Sequence, residues 1–253
     1  MATHTVVMVR NGSCEWNERN LIPSWSDTTL SEAGKQCSRR AGQALKKAGH
    51  RFDVAFTSVM ARAQESLHIM LEELGQPGLP VEMSWRLNDR HYGALTGLNR
   101  AELSAAYGAE QVRLWHYSYD VAPPPMTARH PQHRAIVGGA AYADGPSAAE
   151  FPAAESLRMT VERTLPYWTD VIVPRVRSGA RVLVCAHGDS LRGLAKHLGG
   201  ISDHAISRLN IPMCIPFVYQ LNANMEAVAP MRYLASEDVL MDAMEAIEAQ
   251  TRV

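Results

Sequence analysis

Two short apolar segments of this 253-residue chain end in closely similar turns. Residues 5–12 read TVVMVRNG, and residues 181–188 read RVLVCAHG. Short runs of this kind, rich in β-branched residues and ended by a glycine, are typical of strands buried inside a parallel sheet. Because parallel strands need a long crossover connection, usually a helix, such strands constrain the chain to an α/β architecture.

The rest of the chain alternates predicted strands and helices. Further strands are predicted at residues 52–57, 80–83 and 217–221. Helices are predicted at residues 31–47, 60–74, 99–108, 110–117, 156–177, 190–198 and 237–250, with Ser31 as an N-cap and with Pro166 and Pro174 as kinks or breaks. This alternation predicts an α/β fold with a mostly parallel central sheet flanked by helices on both faces. One domain is predicted to span residues 1–253, with an irregular insertion or lid at about 120–145.

The composition narrows the class of ligand. The formal net charge is −1, so nothing in the overall charge favours nucleic acid or an acidic membrane, and an anion would need a local cluster of basic groups. The chain has neither a run of 18 apolar residues nor a signal-peptide pattern, and its four scattered cysteines are expected to be reduced thiols. A cytoplasmic protein is therefore predicted, with no nucleic-acid or membrane partner.

The two glycine turns predict an anion site. In open α/β sheets, ligands bind at the carboxyl ends of the strands, where a helix that starts at the turn offers free N–H groups. Arg10 and Asn11 follow the first strand, His187 follows the strand at 181–186, and Arg62 comes shortly after the strand at 52–57. These residues are suited to holding a phosphate group.

Longer motifs connect the chain to a known family. They are residues 56–59 (FTSV), 85–99 (WRLNDRHYGALTGLN), 118–125 (SYDVAPPP), 155–157 (ESL) and 186–193 (AHGDSLRG). Through them the chain resembles the cofactor-dependent phosphoglycerate mutases and bisphosphoglycerate mutases, essentially from end to end. The resemblance implies the histidine phosphatase fold and a dimer or tetramer. It also implies phosphoryl transfer between 3- and 2-phosphoglycerate, primed by 2,3-bisphosphoglycerate.

The resemblance assigns roles to residues that match the family pattern. It places Arg10, Arg62 and His187 around the transferred phosphate and makes Asn17 a phosphate contact. It makes Arg90 and Tyr92 substrate contacts. Arg100 stands where the family has a lysine, which keeps the positive charge.

The departures from the pattern are concentrated at the same site. Asn11 replaces the histidine that carries the phosphoryl group in the family, and an amide nitrogen is no nucleophile because its lone pair is delocalised. Asp89 replaces a glutamate acid/base and is shorter by roughly 1 Å, a displacement that can cost about a hundredfold in rate. His116 and Tyr117 replace two arginines that clamp the substrate, a loss of about 3–6 kcal/mol of charged contacts.

Further replacements accompany these four. They are Ser13, Cys14, Leu21, Pro23, Ser24, Ala140, Ala141, Met213 and Cys214. One engineered substitution at position 11 would not bring these changes with it, which favours divergence of a natural sequence. The remaining candidates for a substitute nucleophile are Cys14 and His187.

The leading prediction is a mutase-like protein that has lost mutase activity and keeps a small anion pocket. Its ligand would be a small phosphate or carboxylate, with no metal and no required cofactor, although the family implies 2,3-bisphosphoglycerate. A homodimer is expected, or a hetero-oligomer with an active paralogue. Two alternatives stay open: a repurposed enzyme in which Asp89 and His187 act as acid and base on another small anion, and residual mutase or phosphatase activity.

Overall fold

The computed structural model describes residues 4–143, 145–147 and 149–251. Within them the chain forms a six-stranded sheet with the order β3-β2-β4-β1-β5-β6. The strands are β1 (His4–Arg10), β2 (Val54–Thr57), β3 (Val81–Met83), β4 (Val182–Ala186), β5 (Phe217–Leu221) and β6 (Arg232–Tyr233). β1 to β4 are parallel, and the antiparallel pairings of β5 with β1 and with β6 lie at one edge. The predicted α/β fold with a mostly parallel sheet is confirmed.

The predicted helices are present with small shifts at their ends, and two short helices, α1 and α6, were not predicted. The helices are α1 (Glu15–Glu18), α2 (Glu32–Lys47), α3 (Ala61–Leu74), α4 (Arg100–Tyr107), α5 (Ala109–Tyr117), α6 (His133–Val137), α7 (Leu157–Tyr167), α8 (Val173–Arg177), α9 (Gly188–Gly199) and α10 (Glu237–Thr251). Ser31 caps α2 as predicted, because its hydroxyl accepts a hydrogen bond from the Gly34 amide at 3.0 Å. α9 begins two residues earlier than predicted, directly after His187.

The segment 156–177 is helical throughout rather than broken at its prolines. Pro166 lies inside α7, and the next turn, Trp168–Ile172, widens into a π-helix before α8 begins. A proline has no N–H to give to the preceding turn, and a π-type turn can absorb that loss without ending the helix. Pro174 lies in the first turn of α8, where helical N–H groups have no acceptor within the helix.

The helices cover both faces of the sheet with separate apolar cores. One core joins Val6, Met8 and Phe56 to α8 and α9, and the other joins Val7, Val9 and Leu183 to α2 and α3. The register of the central pair places Arg10 of β1 opposite Ala186 of β4. The two glycine turns therefore lie side by side at the carboxyl ends of neighbouring strands.

The insertion at about 120–145 packs onto the body of the protein. It is irregular as predicted, apart from α6 and a single 3-10 turn at Ala140–Tyr142. Tyr142 stacks on Trp25 with 5.4 Å between ring centroids, and its hydroxyl donates to the Trp25 carbonyl at 2.9 Å. Asp144 lies outside the described residues. Closure of this segment as a lid stays a prediction.

The prediction of four reduced thiols is wrong for two of the cysteines. Cys37 on α2 and Cys214 before β5 form a disulfide with 5.5 Å between their Cα atoms, whereas Cys14 and Cys185 are free and buried. The bridge joins residues 177 positions apart. The two cysteines come together only in the folded protein, so the disulfide could not be predicted from their spacing along the chain.

Four other predictions concern the whole chain. In the part that the structure describes, no helix is both long and apolar enough to cross a membrane. Cytoplasmic localisation, the single-domain span of residues 1–253 and the oligomeric state stay predictions.

Candidate functional site

A cavity of about 290 Å³ lies at the carboxyl ends of β1, β2 and β4. It is lined by Arg10, Asn11, Asn17, Ile22, Pro23, Arg62, Asp89, Tyr92, Arg100, His116, Tyr117, Gly188, Asp189, Arg192, Asn210, Ile211, Met213, Ala243, Ala246 and Ile247. Every residue to which the sequence analysis gave a catalytic or substrate-binding role is therefore in the cavity wall, except Arg90, His187 and the candidate nucleophile Cys14. The fold brings the predicted set together.

Asn11 follows β1 and is almost fully buried in the cavity wall. Its backbone amide donates to the Ala186 carbonyl at 2.9 Å, which joins the two glycine turns. Its side-chain Nδ2 donates to the Gly12 carbonyl at 2.8 Å. The group at this point of the site is thus a neutral amide hydrogen-bonded to its own turn, and it cannot take up a phosphoryl group.

Arg10 and Arg62 supply positive charge at the base of the cavity. Arg10 donates from Nη1 to the Ile211 carbonyl at 2.7 Å. Arg62, which is 1% exposed, donates to the carbonyls of Ser24 at 2.8 Å and Ser26 at 3.0 Å. Because these acceptors are neutral carbonyls, they orient both guanidinium groups without cancelling their charge. Ser24 has a left-handed backbone (φ 49°), a conformation that glycine adopts more readily than serine.

Asp89 lies beside Arg62, with 3.5 Å between Oδ2 and Nη2. Burial and the nearby Asp189 carboxylate raise the pKa of Asp89, and Arg62 and Arg10 offset this only in part. The Arg90 amide donates to its Oδ1 at 3.1 Å. A carboxyl group that holds its proton more strongly than usual is suited to act as a general acid.

His187 is the N-cap residue of α9 and is buried behind the cavity wall. Its Nε2 lies 2.7 Å from the Ser58 hydroxyl, and its buried Nδ1 has no hydrogen-bond partner among the described residues. Burial, followed by the charges of Arg62 and Arg10, lowers the pKa of His187 well below its ordinary value. The imidazole is therefore neutral at physiological pH, with one ring nitrogen uncommitted.

Arg90 belongs to a buried ion network instead of the cavity wall. Its Nε donates to Asp189 Oδ2 at 2.9 Å, and its Nη2 donates to the Tyr92 hydroxyl at 2.6 Å. Arg192 donates to the other oxygen of Asp189 at 2.8 Å, and Tyr92 also donates to Asp189, at 2.9 Å. Burial by itself would raise the pKa of Asp189, but Arg90 and Arg192 hold it below its ordinary value. Asp189 is thus an anion that fixes two arginines, and Arg192 extends into the cavity wall.

The sequence reasoning missed Asp189, Arg192, Asn210 and Ile211 as site residues. A signal for the first two was available. They lie three residues apart at the start of a helix that opens at His187, a spacing that places side chains on the same face. Asn210 and Ile211 come from an irregular segment, and nothing in their local sequence points to the cavity.

Arg100, His116 and Tyr117 line the outer part of the cavity. Arg100 donates from Nε to His116 Nε2 at 3.3 Å and from Nη1 to the Leu21 carbonyl at 3.1 Å. Burial, and then the charge of Arg100, lowers the pKa of His116 well below its ordinary value. The two positions where the family has arginines therefore present a neutral imidazole and a phenol.

Other predicted residues take different places. Cys14 is fully buried outside the cavity wall, with its Sγ 3.0 Å from Asn17 Oδ1, so the structure offers no support for it as a nucleophile. Pro23 and Met213 line the cavity. Leu21 does not, although its carbonyl holds Arg100. Ile247 of α10 reaches the cavity together with two alanines of the same helix. Among the described residues, no group of three or more His, Cys, Asp or Glu side chains could hold a metal ion.

Comparison with known proteins places these features in a family context. The model of the histidine phosphatase superfamily (branch 1) matches residues 6–138. A mycobacterial glucosyl-3-phosphoglycerate phosphatase superposes with a TM-score of 0.68 at 19% identity, covering 92% of this chain and 97% of that one. The α-ribazole phosphatase of Shigella flexneri gives 0.65 at 16% identity (91% and 97%), and a phosphoglycerate mutase of Bacillus anthracis gives 0.61 at 21% (90% and 93%). At these identities the structural matches show the fold alone.

Proposed function

Since this chain belongs to the histidine phosphatase superfamily (branch 1) and carries Asn11 at the end of β1, we propose that it binds a small phosphate- or carboxylate-bearing metabolite without forming a phosphohistidine. On this proposal mutase activity has been lost and the anion pocket has been kept. The observation that carries the proposal is the position of the Asn11 amide in the cavity wall, with Nδ2 bonded to the Gly12 carbonyl.

The charge of the cavity supports anion binding. Four arginines line it (Arg10, Arg62, Arg100 and Arg192), against two carboxyl groups. One of these, Asp189, is paired both with Arg90, which lies behind the wall, and with Arg192, and the other, Asp89, has a raised pKa, so the balance of charge stays positive. An uncompensated guanidinium can bind a phosphate or carboxylate through two parallel hydrogen bonds.

The cavity offers no good substitute for the missing nucleophile. Its described lining residues include no cysteine, serine or threonine. The Nε2 atom of His116 accepts a hydrogen bond from Arg100, so its lone pair is engaged. His187 lies behind the wall and donates to or accepts from Ser58. A covalent phosphoryl intermediate therefore has no evident acceptor.

A second candidate function rests on Asp89 and His187. A protonated Asp89 could protonate the leaving oxygen of a phosphate ester while Nδ1 of a neutral His187, once the ring turns toward the cavity, accepts a proton from the attacking water. The P–O ester bond then breaks as the water oxygen bonds to phosphorus, and no covalent intermediate forms. The raised pKa of Asp89 and the uncommitted Nδ1 of His187 favour this reading, which would make the chain a repurposed phosphatase.

Calorimetry, a coupled mutase assay and trapping of an acid-labile phosphoenzyme test the proposal together. We expect the natural chain to bind 3-phosphoglycerate in the cavity lined by Asn11, to show no mutase turnover with 2,3-bisphosphoglycerate and to trap no phosphoryl group. The Asn11→His variant should trap a phosphoryl group, whereas the matched Asn11→Gln variant should not. Turnover by the natural chain at ordinary enzyme rates, roughly 1–1000 per second, would refute the loss of mutase chemistry.

Hydrolysis of p-nitrophenyl phosphate separates the two candidates. Hydrolysis by the natural chain that disappears in Asp89→Asn, with binding retained, would establish the phosphatase reading. Binding without hydrolysis by either protein would leave anion binding as the function.

A further inference from the structure

A second cavity, of about 250 Å³, lies at the opposite end of the sheet from the site described above. It opens where β1 and β4 begin and where β5 ends. Its lining residues are Thr5, Val7, Gly49, His50, Arg51, Phe52, Arg181, Val182, Val218, Gln220 and Arg232. The proposed function uses none of them.

The base of this cavity is apolar with a polar rim. Val7 of β1 pairs with Val218 of β5, and the next pair on the same face of these strands, toward the cavity end of the sheet, is Thr5 with Gln220. The Thr5 hydroxyl donates to Gln220 Oε1 at 3.1 Å, which leaves the amide nitrogen of Gln220 as a donor. A ligand here would meet a hydrophobic floor and a small number of placed polar groups, the usual construction of a small-molecule site.

The mouth of the cavity is positively charged. Three arginines line it (Arg51, Arg181 and Arg232), and no acidic residue is among its described lining residues. Arg181 is held in a two-point ion pair by Asp53, with Nη2 2.7 Å from Oδ1 and Nε 3.0 Å from Oδ2. Arg51 and Arg232 form no ion pair with the described residues. The mouth therefore carries about two uncompensated positive charges.

The loop that forms one wall is held in place by hydrogen bonds. Gln76 clamps Phe52 from both sides, accepting from its amide at 3.0 Å and donating to its carbonyl at 2.9 Å. The Asp53 amide donates to the Arg181 carbonyl at 2.9 Å. His50 stacks parallel to Phe52, with ring centroids 6.1 Å apart. The wall is thus fixed before any ligand arrives, which lowers the entropic cost of binding.

From these observations we infer that the second cavity binds a small organic anion, with its phosphate or carboxylate group between Arg51 and Arg232 and a compact apolar body over Val7 and Val218. The volume falls just below the roughly 300–1000 Å³ of ordinary small-molecule pockets. That size suits a small metabolite and excludes a nucleotide. This site is independent of the anion pocket at the carboxyl ends of the strands.

Histidine ring signals in NMR spectra can report on the two cavities separately. His50 lines the second cavity, whereas His116 lines the first. The full chain would be titrated with inorganic phosphate, phenyl phosphate or benzoate, with chloride at matched ionic strength as a reference. The His50→Gln variant assigns the His50 signal. We expect a saturable shift of His50 that chloride does not cause, and tighter binding of phenyl phosphate than of inorganic phosphate.

Paired variants test the assignment of the two arginines. Arg51→Gln combined with Arg232→Gln should weaken phenyl phosphate binding at His50 at least tenfold. The control, Arg39→Gln combined with Arg113→Gln, removes two exposed arginines elsewhere and should leave binding unchanged. Thermal unfolding confirms that both proteins fold.

Two results would overturn the inference. One is a His50 signal that does not shift on addition of an anion that does shift the His116 signal. That result would assign all anion binding to the first cavity. The other is an equal loss of phenyl phosphate affinity in the two paired variants. That result would show that the affinity depends on the net charge of the protein and not on Arg51 and Arg232. Comparison of phosphate with benzoate shows which anion the arginines prefer, and binding of inorganic phosphate as tight as phenyl phosphate would refute the apolar contact.

Discussion

Asp89 and Arg62 form an ion pair in the wall of the first cavity, with 3.5 Å between Oδ2 and Nη2, yet this contact does not keep the Asp89 pKa low. Burial and the Asp189 carboxylate raise the pKa more than Arg62 and Arg10 lower it. One carboxyl group of the site thus tends to hold a proton, while the other, Asp189, is kept ionised by Arg90 and Arg192. Two neighbouring carboxyl groups with opposite shifts divide the roles of proton carrier and fixed charge.

Replacing Asp89 by asparagine should stabilise the fold at neutral pH. The folded-state pKa of Asp89 lies above its ordinary value of 3.8, so the ionised form is disfavoured in the folded protein. The destabilisation is absent below about pH 4, where folded and unfolded chains are both protonated, and it grows as pH rises toward the folded-state pKa. Urea unfolding of the two proteins across this range should therefore give curves that coincide in acid and diverge toward pH 7. A variant that is less stable at pH 7 would contradict the raised pKa.

Replacing Asp189 by asparagine should destabilise the fold at neutral pH. The amide leaves Arg90 fully buried without its anion, and breaking a buried ion pair in this way costs about 3–5 kcal/mol of unfolding free energy. The folded-state pKa of Asp189 is depressed, so its stabilisation is present above the ordinary value near 3.8 and is lost as pH falls through the folded-state pKa. Urea unfolding at pH 7 and in acid measures both features.

The exposed pair of Arg113 and Glu110 provides the control for this experiment. Their side chains are 66% and 71% exposed, and an exposed pair contributes only about 0–1 kcal/mol. Glu110→Gln should therefore leave the midpoint of unfolding almost unchanged. Equal losses of unfolding free energy in Glu110→Gln and Asp189→Asn would show that the buried ion network stabilises the fold no more than an exposed ion pair does.

Removing the Cys37–Cys214 disulfide should destabilise the chain and disturb the first cavity. Loss of a native disulfide typically costs about 2–5 kcal/mol. Cys214 also donates its amide to the Arg10 carbonyl at 2.9 Å, and the preceding residue, Met213, lines the cavity. Cys37→Ser should lower the unfolding midpoint and weaken phosphate binding. A reductant should have the same effect on the natural chain and none on the variant, and a natural chain indifferent to reductant would show that the bond does not form in solution.

Much of the fold was predictable because its signals are local. β1, β4 and α2 are each marked by an apolar pattern and by a turn or cap residue at their ends, and these interactions span only a few residues. The antiparallel edge formed by β5 and β6 could not be predicted in the same way. Strand direction depends on which distant strand each one joins, and a short apolar run carries no sign of this.

The features of the candidate site likewise divide into those with a local signal in the sequence and those without one. Arg10, Asn11 and Arg62 could be predicted because they follow buried strands, and strands of a parallel sheet bring their carboxyl ends together. The burial of these residues and their hydrogen-bond partners could not be predicted. Arg90 matches a substrate contact of the family, but in the fold it is fully buried against Asp189, a partner 99 residues away. Asn210 and Ile211 reach the cavity only through the path of an irregular segment.

Gly188 offers a way to weaken the first cavity without unfolding the chain. A Cβ at this position would meet the Arg10 guanidinium carbon and Nε at 3.2 Å, so alanine should displace that group by a few tenths of an ångström. Because Gly188 is the first residue of α9, alanine should not lower helix stability. Phosphate binding should weaken by up to about tenfold, because the displaced guanidinium loses part of a charge-assisted contact of about 1.5–3 kcal/mol. Gly199→Ala, in the same helix, has Ile201 (3.3 Å) and the Tyr219 hydroxyl (3.6 Å) nearest to its Cβ and serves as the matched control in calorimetry. Equal affinities in the two variants would show that Arg10 does not contribute to anion binding, whereas a selective loss in Gly188→Ala at unchanged thermal stability would assign it to the ligand.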